Sequence, residues 1–217
     1  MRNNGNMAAA TRNYGGVSAD ERRSQRRAAL LEAALDLFSE GGASAVTKRA
    51  VCARAHLNDR YYYEHFADRD AVLEAFAQDM TAQGLAAVLS ATMGAGPDNH
   101  AQVHAAADAA LGFLIADPRR GKLLLGSHTA EALQRARLAT QHAIANAMTA
   151  QARELVADSD PTRVDTDMAA FSLVSGTMEL VAAWLRGEFD ASREHLVDLI
   201  AAMLLATVDI SNAIPPT

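Results

Sequence analysis

The side chains best suited to chemistry form one cluster near residue 60. Arg60 precedes three consecutive tyrosines, residues 61–63, and His65 follows them. A guanidinium can pair with guanine through two hydrogen bonds, and a tyrosine ring can pack on the methyl group of thymine. Arg69, at a predicted helix start, supplies a further cation that suits phosphate groups. The cluster therefore predicts contact with a double-stranded nucleic acid.

A helix-turn-helix pattern is predicted to present this cluster. A first helix begins at the capping box Ser18-Ala19-Asp20-Glu21 and stops at Gly41-Gly42. Two short helices follow, one from residue 44 or 47 to residue 55, and one capped by Asn58 that ends near residue 66. The second of such a pair can lie in the major groove while the first crosses the backbone. The expected inward side chains are Leu57, Tyr62 and Phe66, and the expected outward ones are Arg60, Tyr61, Tyr63 and His65.

The rest of the chain is also predicted to be helical, because no segment alternates apolar and polar residues long enough to form a strand. A long helix starts after the cap Asp68 and reaches about residue 93, followed by helices near 100–116, 118–125, 128–157, 162–187 and 191–211. Asp117-Pro118 and Asp160-Pro161 are predicted helix starts, and Asp190 is the predicted cap of the last helix. The fold class is therefore all-α. It comprises a disordered arm (1–17), a three-helix helix-turn-helix domain (18–67) and a helical ligand-binding and dimerisation domain (68–217).

Composition excludes several classes of protein. The 217 residues carry a net charge of -6 and a single Cys, which excludes a module built on internal disulfides. We expect no bilayer-length apolar run and no signal peptide, and hence a soluble cytoplasmic protein without a membrane partner. The positive charge is concentrated before Ala71, where 11 Lys+Arg face 9 Asp+Glu, and this asymmetry is compatible with nucleic-acid contact through the N-terminal part.

Three segments resemble a known family. Residues 29–42 (ALLEAALDLFSEGG), 46–52 (VTKRAVC) and 63–73 (YEHFADRDAVL) are similar to the DNA-binding domain of the TetR (tetracycline-repressor-like) regulators. The chain departs from the family pattern in having His56 for the frequent turn glycine, Val46 for the first threonine, and Tyr61 and Tyr62 for a small residue and leucine. These departures make the family's operator sequences a poor guide to the DNA that this chain reads.

The resemblance implies a homodimeric repressor that binds a palindromic operator and is released by an unidentified small molecule. Thr47 and Lys48 match family positions that touch phosphate or base edges, and Tyr63 and His65 match positions whose polar ends reach phosphate. Arg60 and Tyr61 are the predicted base readers, and Arg69 is a predicted phosphate contact at a helix start. Alternatives stay open for Thr47 as a simple cap and for Lys48 and Arg60 as solvated charges. Tyr63 and His65 could instead be partly buried, and Asp59 could be a dipole partner or a cytosine reader.

The C-terminal domain is expected to hold an effector cavity and a dimer seam. The candidate effector residues are His104, Phe113, His128, His142, Phe171 and Met178. His100, His104 and Asp108 have a spacing that can hold a metal ion, but a polar stripe is commoner, so neither metal nor cofactor is predicted. Residues 168–185 and 196–207 are rich in Ala, Leu, Val and Met and are expected to pair with a second copy, with a monomeric core as the alternative.

Two other functions remain as alternatives. A helical enzyme is disfavoured because the sequence has no Gly-rich phosphate loop, His-Glu metal motif or nucleophile elbow. A dimeric DNA-binding protein without ligand control is the nearer alternative. An activator is also compatible with the pattern, since the sign of regulation depends on where the operator lies.

Overall fold

The computed structural model describes residues 18–155 and 163–213, and these ranges contain no strand. Nine α-helices lie within them, which confirms the all-α prediction. Their bounds are α1 (Ala19–Ala45), α2 (Lys48–Arg54), α3 (Asp59–Tyr63), α4 (Arg69–Gly94), α5 (Asn99–Ala116), α6 (Pro118–Gly126), α7 (Glu131–Leu155), α8 (Arg163–Leu185) and α9 (Arg193–Ala213). The predicted arm 1–17 and the predicted Asp160-Pro161 helix start lie outside the described residues.

Several of these helices begin at the side-chain caps that were predicted from the sequence. Ser18 and Glu21 form the predicted capping box at the start of α1, and Asp68 caps α4 by accepting from the Ala71 N–H at 2.8 Å. Asp117 caps α6, with Pro118 in its first turn. The prediction for the last helix is wrong, because α9 begins at Arg193 and the hydroxyl of Ser192, not Asp190, accepts from the N–H of His195.

Two backbone breaks shape the N-terminal domain. Gly41 and Gly42 leave helical geometry inside α1, and Gly42 has a φ of 68°, which glycine adopts without strain. His56, in the turn between α2 and α3, has a φ of 54°. This is the left-handed conformation that the turn requires, here adopted by a residue that bears a side chain.

One apolar core joins the two predicted domains. Leu30, Phe38, Tyr62 and Phe76 lie in a cluster that also contains Leu133 of α7. A second cluster unites α5, α6, α8 and α9, and a smaller one lies between α7 and α8. The helix-turn-helix domain therefore packs directly on the helices that follow it.

Helix α8 is more apolar than the sequence analysis predicted. Its segment Thr166–Leu185 has a mean hydropathy of 1.5 over 20 residues, so by length and composition it could cross a membrane. The expectation that the chain has no such segment is wrong. In this fold Val174, Val181 and Ala182 of α8 are buried in the clusters shared with α7 and α9, while most of the segment is not buried within the chain.

Candidate nucleic-acid interface

Helix α3 is held in place by its buried aromatic residues. Tyr62 is 1% exposed and its hydroxyl donates to the carbonyl of Asp68 at 2.9 Å, while Phe66 packs edge-on against its ring at 5.8 Å. Burial is the main cause that raises the pKa of Tyr62 to about 12. Asn58 caps the helix by accepting from the Tyr61 N–H. The orientation of this short helix is thus fixed from within.

The opposite side of α3 carries side chains that were predicted to face outward. The side chain of Arg60 is 82% exposed and Tyr63 is 61% exposed. Tyr61 is half-buried, because the guanidinium of Arg26 lies 4.6 Å from the centre of its ring. The predicted outward orientation is therefore found for Arg60 and Tyr63, and Tyr61 is partly covered.

Thr47 and Lys48 lie at the start of α2, and both already have partners. Thr47 caps α2 by accepting from the Ala50 N–H at 3.2 Å. The Nζ of Lys48 lies 2.5 Å from a carboxylate oxygen of Asp59 and 5.1 Å from the ring centre of Tyr63. Hydrogen bonding to Asp59 is the main cause that raises the pKa of Lys48, and the same bond lowers the pKa of Asp59.

Glu64 contacts three arginines beside α3. Its Oε1 lies 3.2 Å from Arg60 Nε, its Oε2 lies 3.8 Å from Arg26, and its carbonyl accepts from Arg23 at 3.4 Å. Arg23 and Arg26, on the first turns of α1, were not among the predicted DNA contacts. Their position four and seven residues after Ala19 was visible in the sequence, but the crossing of α1 over α3 was not.

His65 and Arg69 differ in exposure. The Nε2 of His65 is buried and has no hydrogen-bond partner among the described residues. Burial and then the charge of Arg23 lower the pKa of His65, so its imidazole favours the neutral form. Arg69 is half-exposed at the start of α4, 3.5 Å from Asp70. Arg69 is therefore free to turn towards phosphate, whereas His65 presents at most one edge.

The predicted effector residues are only partly brought together. His142 stacks on Phe171 with ring centres 4.7 Å apart, and Met178 packs against the same small cluster. Phe113 instead lies beneath Arg120, 3.8 Å from its guanidinium, and His128 is exposed. His104 lies on the surface, 3.1 Å from a carboxylate oxygen of Asp198.

The possible metal ligands on α5 pair with α9. His104 faces Asp198, and Asp108 forms an ion pair with Arg193 at 2.8 Å. Within the described ranges no group of three His, Cys, Asp or Glu side chains could hold a metal ion. These side chains therefore act as bridges between two helices.

Comparison with known proteins finds one family model that matches part of the N-terminal region. Residues 30–76 match the family described as "Bacterial regulatory proteins, tetR family". No curated protein matches the chain in sequence.

Solved structures of transcriptional regulators share the fold over most of the chain. A TetR-family regulator from Syntrophomonas wolfei has a TM-score of 0.71 at 12% identity, with 86% of this chain and 96% of that chain covered. A transcriptional regulator from Pseudomonas aeruginosa PAO1 has a TM-score of 0.65 at 19% identity, with 88% and 92% covered. The fatty acid degradation regulator FadR from Bacillus halodurans has a TM-score of 0.65 at 16% identity, with 83% and 94% covered. At these identities the likeness is one of fold.

Proposed function

We propose that this member of the TetR family of transcriptional regulators binds a palindromic operator as a homodimer and represses transcription until a small molecule releases it. Regulation of transcription through DNA binding follows from the family. The operator symmetry, the sign of regulation and the control by a ligand are the proposal. It assigns the chain no catalytic step, and it implies a cytoplasmic location, where a bacterial chromosome lies.

The exposed side of α3 is the observation that carries the proposal. Tyr62 and Phe66 anchor the helix from inside, which leaves Arg60 and Tyr63 directed at solvent. An exposed tyrosine ring beside an arginine is poorly solvated on a free surface, but it can pack against base edges in a DNA groove. We assign base readout to Arg60 and to the exposed part of the half-buried Tyr61 ring.

Contacts to phosphate are assigned around α3. They position the protein on the duplex and supply most of the affinity. Thr47 and Lys48 would approach the backbone at the start of α2, and Arg69 at the start of α4. Tyr63 and the exposed edge of His65 complete this set.

Dimerisation is assigned to α8 and α9. Met168 is 63% exposed and Leu199 is 42% exposed, and only a minority of the apolar segment 166–185 is buried within one chain. Large exposed apolar side chains on adjacent helices favour burial against a second copy. A two-fold axis through these helices would present two α3 helices, which read successive major grooves when about 34–36 Å apart.

Release by a ligand needs an effector that prefers a spacing of the two α3 helices that does not fit DNA. The stacked pair His142 and Phe171, together with Met178, is the part of the predicted effector set that lies together. The remaining three candidates, His104, Phe113 and His128, lie apart from it. This separation favours the second candidate function, a dimeric DNA-binding regulator without ligand control.

The experiment is selection of bound duplexes from a random pool by the full-length protein, followed by titration of the selected DNA. We expect a palindrome bound by two chains, with affinity that falls steeply as salt rises. Screening small molecules against that complex then separates the two candidates, because only the first predicts a compound that lowers operator affinity. Failure to enrich any sequence would contradict both.

A further inference from the structure

Glu64, at the C-terminal end of α3, places a carboxylate among the groups assigned to DNA. Its neighbours Tyr63 and His65 are assigned to phosphate, and a carboxylate close to phosphate is repelled by it. The side chain of Glu64 is nevertheless only 31% exposed, so it is held against the protein instead of extending into solvent. The proposed DNA contacts make no use of this carboxylate.

The first partner of Glu64 is the base reader Arg60, one helical turn earlier. The Nε of Arg60 donates to Oε1 of Glu64 at 3.2 Å. Arg60 makes no other hydrogen bond among the described residues, so its two terminal nitrogens are available. Recognition of guanine through two hydrogen bonds requires a pair of N–H groups with a fixed spacing and direction. The terminal nitrogens supply that pair, and the bond at Nε fixes the plane in which they lie.

Helix α1 in turn holds Glu64. A terminal nitrogen of Arg26 lies 3.8 Å from Oε2 of Glu64, and Arg23 donates to the main-chain carbonyl of Glu64 at 3.4 Å. The same Arg26 guanidinium lies 4.6 Å from the ring centre of Tyr61. Arg26 is therefore in contact with one base reader directly and with the other through Glu64.

Arg26 is confined by packing and has little freedom to turn towards phosphate. Its side chain is 26% exposed, and its Nε is buried without a hydrogen-bond partner among the described residues. A guanidinium in this position serves the protein surface of α3 better than it serves the DNA backbone. The contacts of Arg26 and Glu64 thus form a chain from α1 to the tip of Arg60.

The bond between Glu64 and Arg60 matters for DNA binding more than for folding. An exposed ion pair in water contributes little to stability. When DNA covers the pair, water is excluded and the same hydrogen bond becomes stronger. A long arginine side chain also loses rotamer freedom when it binds a base, and a partner that has already oriented it lowers that cost.

We propose that Glu64 is a positioning residue for base readout, which holds Arg60 with its terminal nitrogens directed at a base while Arg26 holds Glu64 on α1. Glu64 touches no DNA in this role. The inference rests on the proposed function, because it acts through an assigned base reader. The opposite role is competition, in which Glu64 withholds Arg60 from DNA as Asp59 withholds Lys48.

The test is fluorescence anisotropy with the selected operator, with the operator changed at the base pair that Arg60→Ala identifies, and with an unrelated duplex. Glu64→Ala should lower the ratio of the first two affinities about fivefold or more, as part of the loss caused by Arg60→Ala. Affinity for the unrelated duplex should stay the same or rise, because a negative charge is lost. Glu64→Gln removes the same charge but keeps an oxygen that can accept from Nε, so it should retain more discrimination than Glu64→Ala.

Two results overturn the proposal. If Glu64→Ala and Glu64→Gln raise all three affinities and leave the ratio unchanged, then Glu64 is a competitor. If both lower all three affinities alike, then Glu64 only supports the fold. Asp20→Asn is the control for the loss of one negative charge, and it should keep the parental ratio. Asp20 is exposed in the first turn of α1 and has no ion pair among the described residues.

A double-mutant cycle shows whether Glu64 acts through Arg60. In the Arg60→Ala background, Glu64→Ala should cause no further loss of discrimination at that base pair. An equal loss in both backgrounds overturns the proposal. A parent that enriches no sequence contradicts the proposed function and this role with it. An operator that Arg60 reads equally well in the parent and in Glu64→Ala contradicts the role of Glu64 alone.

Discussion

The ammonium group of Lys48 lies 2.5 Å from the carboxylate of Asp59, so the first residue of α2 is ion-paired with the first residue of α3. Both side chains are more than one-third exposed. A pair of this kind contributes little to folding, because water screens it and two long side chains must be ordered. The ion pair instead affects DNA binding, because a phosphate must replace Asp59 before Lys48 can neutralise a charge of the DNA backbone.

Asp59→Asn should therefore tighten DNA binding, by about threefold to tenfold at low salt, because it removes both the competitor for Lys48 and a negative charge near phosphate. Fluorescence anisotropy with the selected operator would measure the change. Asp190→Asn, on an exposed loop before α9, is the control for the loss of one negative charge and should have little effect. Weaker binding by Asp59→Asn would indicate that Asp59 itself reads a base.

Replacing Arg60 by alanine should change DNA binding in a different way from replacing Arg69 by alanine. Arg60→Ala should lower discrimination at one base pair by about 1–3 kcal/mol, because a base contact is lost. Arg69→Ala should weaken all sequences alike and reduce the steepness of the salt dependence by about one phosphate contact.

Competition assays with single-base operator variants, repeated over a salt series, distinguish the two. The assignment of roles is wrong if Arg60→Ala weakens every sequence equally or if Arg69→Ala alters the preferred bases.

The sequence predicted more of the helix-turn-helix domain than of the rest. Asn58, Asp68 and the buried Tyr62 could be assigned because caps and apolar spacing are local properties. His56 could be placed in the turn for the same reason, and its φ of 54° agrees with the family glycine that it replaces. Local rules were sufficient at these positions, although they misplaced the cap of the last helix at Asp190.

Contacts between distant segments could not be predicted in this way. Glu64 joins Arg26 across 38 positions of the chain, and Arg119 joins Glu32 across 87. Nothing in the spacing of these residues indicates which helices cross. Only three of the six predicted effector residues lie together for the same reason, since each was chosen for its side-chain type without knowledge of which helix faces meet.

Arg119→Gln should destabilise the protein by about 1–3 kcal/mol, because it leaves the carboxylates of Asp117, Glu32 and Asp36 close together without their shared cation. Urea denaturation followed by circular dichroism would measure the loss. Arg119→Lys keeps the charge but loses the forked geometry, so it should fall between the parent and Arg119→Gln.

The same variant should change the response to acid. Arg119 is the main cause that lowers the pKa of Asp117 in the folded protein. The unfolded chain then binds the proton first, so stability falls as the pH drops below the ordinary pKa of 3.8. Arg119→Gln should reduce that acid dependence, and an unchanged slope would contradict the role of the pair.

His65 should make the folded state less stable near pH 6. Its pKa is lowered by burial, by Arg23, and further by Arg26 and Arg27, against an opposing effect of Glu64. Above the ordinary histidine pKa of 6.5 both states are neutral at this position, and His65 contributes no pH dependence. Below it the unfolded chain takes up a proton that the folded chain resists, so the free energy of unfolding decreases as the pH falls from about 6.5 to the lower pKa of the folded state.

The measurement is a series of urea denaturation curves between neutral and mildly acidic pH for the parent and for His65→Gln. Gln fills similar space and does not titrate in this range, so the decrease should be smaller in the variant by the amount that His65 contributes. His195→Gln, an exposed histidine near the start of α9, is the control and should retain the parental slope. If the stability of His65→Gln changes with pH as that of the parent does, then the imidazole is open to solvent in the folded protein. Burial would then no longer limit its contact with phosphate to one edge.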